Sequence, residues 1–244
     1  MPFMIKTGFR VFGAVVAAYS VYQSTHICKS MLDQYPPHTP SPTSHLWVPN
    51  KQDTSRPTYV PADSPVTYYA RVPASLFPQP FSLEEARKIW ADTLLHGRLI
   101  SLEARVIGWI NGAKEEAEMK PGAKLVGGVM EVVQPPSSTS QLTTRWAIPE
   151  GSIKFFETVA RYGYPWRLME GGRHDMPVER DGNDVLVGFS SAHDYAVLDG
   201  DNKVLPRWVE WAHRMFARFI LDDGVKELQR RANLKGGETN VKEH

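Results

Sequence analysis

PWRLMEGGRHDMPVERDGNDVLVGFSSAHDYAVL, Pro165 to Leu198, decides how this chain is read. Asp181-Gly182-Asn183 is a turn signal between two runs with strand character, so the block reads as a β-hairpin. Side chains alternate along a strand, which puts Val185, Val187, Phe189, Ser191 and His193 on one face of the second run, continued by Tyr195. On the first run His174, Met176 and Val178 share a face, with Arg173, Asp175 and Glu179 opposite. The apolar content marks both shared faces as inward. Two registers are open: with Asp181-Gly182 as the loop His174 faces Phe189, and with Gly182-Asn183 it faces Ser191. Both leave the two imidazoles on the same face, and only a slip of one residue would part them. Gly171-Gly172 reads as a bend or bulge in a curved sheet.

Downstream, Pro206 opens a long helix at its first turn. Trp208, Ala212, Met215 and Phe219 recur along one stripe, widened by Trp211, Phe216 and Ile220, as in a helix pressed on a sheet. Upstream, VTYYARV (Val66 to Val72) is a first strand. Ser82 with Glu85 forms a capping box for a helix carrying Ala86, Ile89, Trp90, Thr93 and Leu94, which Gly97 ends. From Ile100 to Ile110 the pattern fits a strand by period two and a helix through Leu99, Leu102, Val106 and Trp109. Lys124 to Val133 and Gln141 to Ile148 read as strands, and Ser152 caps a short helix over 153–162.

This order of elements predicts an α+β domain, an antiparallel sheet packed on a long C-terminal helix. The order, together with the closing PRWVEWAHRMFARFIL helix, resembles the START / Bet v 1-like helix-grip superfamily, which includes polyketide-cyclase-like proteins. The resemblance spans Val66 to Leu234. It implies a cavity between sheet and helix that takes a hydrophobic ligand; no family catalytic motif maps onto these residues.

The domain lies at 66–234 of the 244 residues. Residues 1–34 read as an anchor or targeting segment: Lys6 and Arg10 precede VFGAVVAAYSVY, and no charged residue falls between Val11 and Cys28. A single-pass membrane anchor, a cleaved secretory signal and a mitochondrial presequence all fit this stretch. Residues 35–65 form a Pro-rich linker, part of a stretch from Pro36 to Pro80 that holds 11 of the 19 prolines. Residues 235–244 are a polar tail expected to be disordered.

Composition removes several function classes. Lys+Arg is 28 against Asp+Glu 27, so no net field draws the chain to nucleic acid, and no nucleic-acid partner is expected. The single cysteine, Cys28, excludes an intrachain disulfide and a cysteine-based metal site. No phosphate loop surrounds Gly127-Gly128 and no serine sits in a nucleophile elbow. His174 and His193 offer two nitrogens where zinc takes three protein ligands, His213 being the one available third; no metal and no cofactor is assigned.

The chemistry then rests on histidines inside an apolar cup. His174 and His193 are the candidate proton carriers, with Tyr195 placed to donate to a carbonyl. Trp166, Arg167, Met176, Phe189, Ser191, Met215 and Phe219 are the candidate ligand contacts. Two functions fit: a membrane-anchored, cofactor-independent acid/base enzyme (cyclase, isomerase or dehydratase) acting on a hydrophobic small molecule or lipid, and a non-catalytic carrier of such a molecule. The alternative to any role for the two histidines, and the first reading of such residues at a strand end, is hydrogen bonding within a packed core.

Overall fold

A computed structural model describes residues 23–50, 57–111, 118–198 and 203–241. The stretch Val11–Tyr22 expected to form an anchor lies outside them. Among the described residues no helix is long and apolar enough to cross a membrane. The chain divides into two units, Met1–Pro36 and Pro37–His244. The first is helical over 23–34 (α1).

The second unit is an α+β domain with an eight-stranded antiparallel sheet. Its strands are β1 (Thr58–Tyr59), β2 (Val66–Pro73), β3 (Lys124–Leu125), β4 (Met130–Gln134), β5 (Leu142–Ala147), β6 (Gly171–Met176), β7 (Val178–Asp181) and β8 (Asp184–Ala196). Its helices are α2 (Leu83–Leu95), α3 (Arg98–Asn111), α4 (Glu150–Arg161) and α5 (Arg207–Val241). The path across the sheet is β1-β8-β6-β5-β4-β3, with β2 and β7 also paired to β8.

β8 is the organising strand because its 13 residues are paired along both edges. One edge takes β2 over Asp184–Ser191 and β1 at Tyr195 and Ala196. The other takes β7 and then β6. Pro177 between them lacks an N–H, but its carbonyl accepts the Gly188 N–H at 2.8 Å, so the register runs on through it. Asp181 faces Asp184 across a Gly182-Asn183 loop, where Gly182 has φ 63°. His174 therefore faces Ser191, the second of the two registers open to the sequence.

The inner face carries Tyr68, Val185, Val187, Phe189, Met176 and Leu142, all buried. α2 and α5 lie against it and against each other. The Ser82 hydroxyl accepts from the Glu85 N–H, as the capping box predicts, and Trp90 of α2 is fully buried with its indole N–H donating to Gly188 O at 2.9 Å. The inward stripe of α5 is displaced from the expected one. Trp208 and Trp211 are exposed, whereas Met215, Ala217, Ile220, Leu221 and Leu228 are buried. Arg218 is buried too, its guanidinium 4.2 Å from the Tyr68 ring centroid in a cation–π contact.

Residues 98–111 form a helix, not the strand their alternation favoured. The Leu99 N–H donates to the Asp223 carboxylate of α5 at 3.1 Å, a tertiary cap that no local pattern announces. Ile100 is buried, while Leu102, Val106 and Trp109 face out. Lys124–Val133 is likewise two strands, parted by a turn in which Val126, Gly127 and Gly128 all have positive φ.

The outer face is closed by residues 37–50 of the Pro-rich stretch. Arg173 of β6 donates to the Leu46 and Val48 carbonyls and pairs with Asp194 of β8 at 2.6 Å, both side chains being almost fully buried. The Asn50 N–H donates to the other Asp194 oxygen at 3.0 Å, and Ser44 donates to Asp175. A proline-rich segment cannot pair as a central strand, but it can lie flat on a sheet when side chains reach for its carbonyls.

Candidate functional site

The cavity in which chemistry can occur has a volume of about 790 Å³. It opens where β5 hands over to β6, at the end of the sheet. Its inner wall is Met130 of β4, Trp146 of β5 and His174 of β6, joined by Glu103 of α3 and His213 of α5. Gly128, Val129 and Ile148 add apolar surface. Glu131 also lines it, held in ion pairs by Lys124 at 2.7 Å and Arg145 at 2.5 Å.

Alternation along β5 and pairing across β6 explain the wall. Trp146 faces Gly172, and Thr144 faces His174. The indole lies flat over Gly172: a Cβ built there would come within 2.8 Å of Trp146 Cζ2. Gly172 is thus a seat for an aromatic ring. The indole sits between two imidazoles, with ring centroids 6.1 Å from His174 and 6.0 Å from His193. Gly172→Ala is expected to push the indole off its seat and cost about 1–3 kcal/mol, since a Cβ there also meets the Ala192 carbonyl. The check is a urea melt together with near-ultraviolet circular dichroism, and an unchanged aromatic spectrum would count against the seating.

His193 stands behind the wall. Its Nε2 is 3.0 Å from His213 Nε2, so one ring donates its proton and the other accepts it. Burial, reinforced by the nearby His213, holds His174 down at about 3. Burial first, then His213 and His174, holds His193 at about 3 as well. His213 is lowered by burial and by Arg214. All three imidazoles are therefore neutral at pH 7, suited to hydrogen bonding and poor as bases. Burial moves Glu103 the other way, raising its carboxyl above its ordinary value. Among the described residues no three His, Cys, Asp or Glu side chains are arranged to hold a metal ion.

The structure brings together only part of the expected set. His174 lines the cavity and His193 touches it through His213, which the sequence offered only as a third ligand. Phe189 packs on His174 with centroids 5.0 Å apart, and Met176, Ser191 and Met215 are buried; none of these four lines the opening. Phe219 is half-buried and also outside the lining. Tyr195 turns toward the start of α5, where its hydroxyl accepts the Leu205 N–H at 3.4 Å and burial raises it to about 12. Trp166 joins an aromatic chain, 5.0 Å from Tyr164 and 6.1 Å from Trp208. Arg167 is buried, donating to the Ala196 carbonyl at 2.6 Å. Trp146, Met130 and Glu103 were missed. The strand signal over Gln141–Ile148 held Trp146 in its alternation; Glu103, on a helix read first as a strand, had none.

Fold and site together define an α+β domain whose antiparallel sheet packs on a long C-terminal helix and carries an open cavity at one end. No family model matches the sequence, and no curated protein is similar to it. Among solved structures, the chain is similar to the crystal structure of CalU16 from Micromonospora echinospora, at 13% identity and a TM-score of 0.29, the match covering 73% of this chain and 93% of that one. A TM-score of that size does not define a shared fold.

Proposed function

We propose that this protein binds an apolar small molecule in the cavity walled by Met130, Trp146 and His174. The observation that carries this reading is a cavity of about 790 Å³ whose exposed wall is mostly apolar, from Met130, Val129, Trp146 and Ile148, with polar and charged side chains such as His174, Glu131 and Arg145 between them. Ligand sites of a few hundred cubic ångströms have this make-up, apolar surface for affinity and sparse polar atoms for orientation.

The test is native mass spectrometry of the full chain, as purified and after exposure to an organic extract of its host cells. Wild type is expected to carry apolar small-molecule adducts, and Ile148→Trp, which fills the cavity, to lose them. A wild-type chain that stays empty in both preparations overturns the proposal.

A second reading, catalysis by proton transfer, is favoured by one observation: the carboxyl of Glu103, raised by burial, faces the same cavity as His174 and His213. Burial strengthens the Glu103 carboxylate as a base, whereas it weakens an imidazole held near 3. If a bound molecule is turned over, Glu103→Gln should slow the step by about 10²–10⁴-fold.

A further inference from the structure

Rings outside the cavity form a second continuous feature. Phe155 and Phe156 of α4 have centroids 5.4 Å apart, and Phe156 lies 6.5 Å from Tyr164. Tyr164 carries the contact to Trp166, and Trp166 to Trp208, so one aromatic seam joins α4 to the start of α5. Trp211 lies three residues beyond Trp208, within one turn of the same helix. The outer members are open to solvent: Phe155 is 62% exposed, Trp208 64% and Trp211 51%, and Tyr162, which caps α4, is 88% exposed. Single apolar side chains on a surface are ordinary, but a contiguous aromatic patch marks a place where something binds.

The charges beside the seam are basic. Arg161 closes α4 and Arg207 opens α5, and both are exposed. Among the described residues neither takes part in an ion pair, whereas Lys154 and Arg214 of the same helices are held by Glu150 and Glu210.

We infer that this seam docks on the surface of a lipid bilayer carrying anionic head groups. Three features select that occupant. Tryptophan and tyrosine join an apolar ring to a polar N–H or O–H, which suits them to the boundary between acyl chains and water. The two guanidiniums gain from a negative lipid surface, and they disfavour a second copy of the same basic face. Residues 11–28 hold no charged side chain and fit a membrane anchor, which keeps the chain within reach of a bilayer. The inference stands on the surface alone and does not depend on the pocket reading.

The experiment is quenching of the tryptophan fluorescence of the full chain by vesicles of phosphatidylcholine and phosphatidylserine in equal parts, brominated near the head of the acyl chains. Residues 1–46 hold no tryptophan, so the signal reports on the rest of the chain whether or not the N-terminal stretch inserts. Wild type is expected to lose roughly a quarter of its emission, the share of Trp208 and Trp211 among seven tryptophans. Trp208→Phe/Trp211→Phe keeps an aromatic ring at each exposed position, so folding is not at risk, and it is expected to abolish the quenching. Arg161→Glu/Arg207→Glu, or vesicles of phosphatidylcholine alone, should reduce the quenching at least about twofold. Wild type left unquenched overturns the inference, and so does quenching that persists in the double Phe variant, since another tryptophan then meets the lipid. Self-association lost in Trp208→Ser/Trp211→Ser, with no quenching in wild type, assigns the seam to a second copy and overturns the bilayer. Equal quenching with and without phosphatidylserine overturns the anionic preference.

Discussion

Arg173→Ala is expected to cost about 3–5 kcal/mol of stability, more than any other exposed or polar substitution in the domain. The reason lies on the outer face of the sheet, where Asp194 is also one of the residues bordering the cavity. Arg173 and Asp194 have 4% and 1% of their side chains exposed, and their 2.6 Å contact is what makes a carboxylate tolerable there. Burial pushes the Asp194 carboxyl up, and Arg173 is the largest influence pulling it back. Removing the guanidinium strands that carboxylate and also releases the Leu46 and Val48 carbonyls it holds. Residues 37–50 then lose their main attachment. Urea denaturation measures the loss, and proteolysis within 37–50 should quicken. The double variant Arg173→Met/Asp194→Leu should recover much of the stability, since an apolar pair has no charge to desolvate. A cost below about 1 kcal/mol for Arg173→Ala would show that the ion pair is not what secures the outer face.

Acid should unfold the domain through the cavity histidines. His174 and His193 are held at about 3 by burial, against about 6.5 in an unfolded chain. Below pH 6.5 the unfolded state takes up protons that the folded state refuses. The stability these rings allow is full above pH 6.5 and falls as pH drops toward 3. By pH 4 each ring contributes a loss of about 3 kcal/mol, less any sharing between them. The raised carboxyls of Asp175, Asp194 and Glu103 have the opposite sign: their cost to the fold at neutral pH fades as they protonate. The histidines therefore pull stability down as pH falls from 6.5 toward 3, and the raised carboxyls act against that fall. Denaturant melts across this range check it. His174→Phe should remove close to one proton from the slope, and a variant with the wild-type slope would show that His174 titrates normally.

Much of the architecture was legible in the chain because it depends on short-range chemistry. The turn residues Gly182 and Asn183, the period of two on either side, the Ser82 cap and the proline before α5 each act within a few residues. Their sum orders the elements of an α+β domain. The shared face of His174 and His193 was legible for the same reason, since parity along paired strands survives either choice of loop.

What the chain could not announce is what lies opposite those faces. The alternation of Ile100 to Val106 fits strand and helix alike, and only the Asp223 carboxylate from another helix settles it. The stripe on α5 was misplaced because Arg218 is charged, and its burial depends on the Tyr68 ring beneath it. Met176, Phe189 and Met215 look like a pocket lining by residue type, yet close packing fills the space between them, and the opening lies farther along β5. Sequence determines the order of the elements and the side each residue faces, because both follow from backbone geometry over a few residues. Which of those sides meets empty space is decided by tertiary structure alone, because a cavity is what remains when side chains from β4, β5, β6, α3 and α5 fail to fill the volume they enclose.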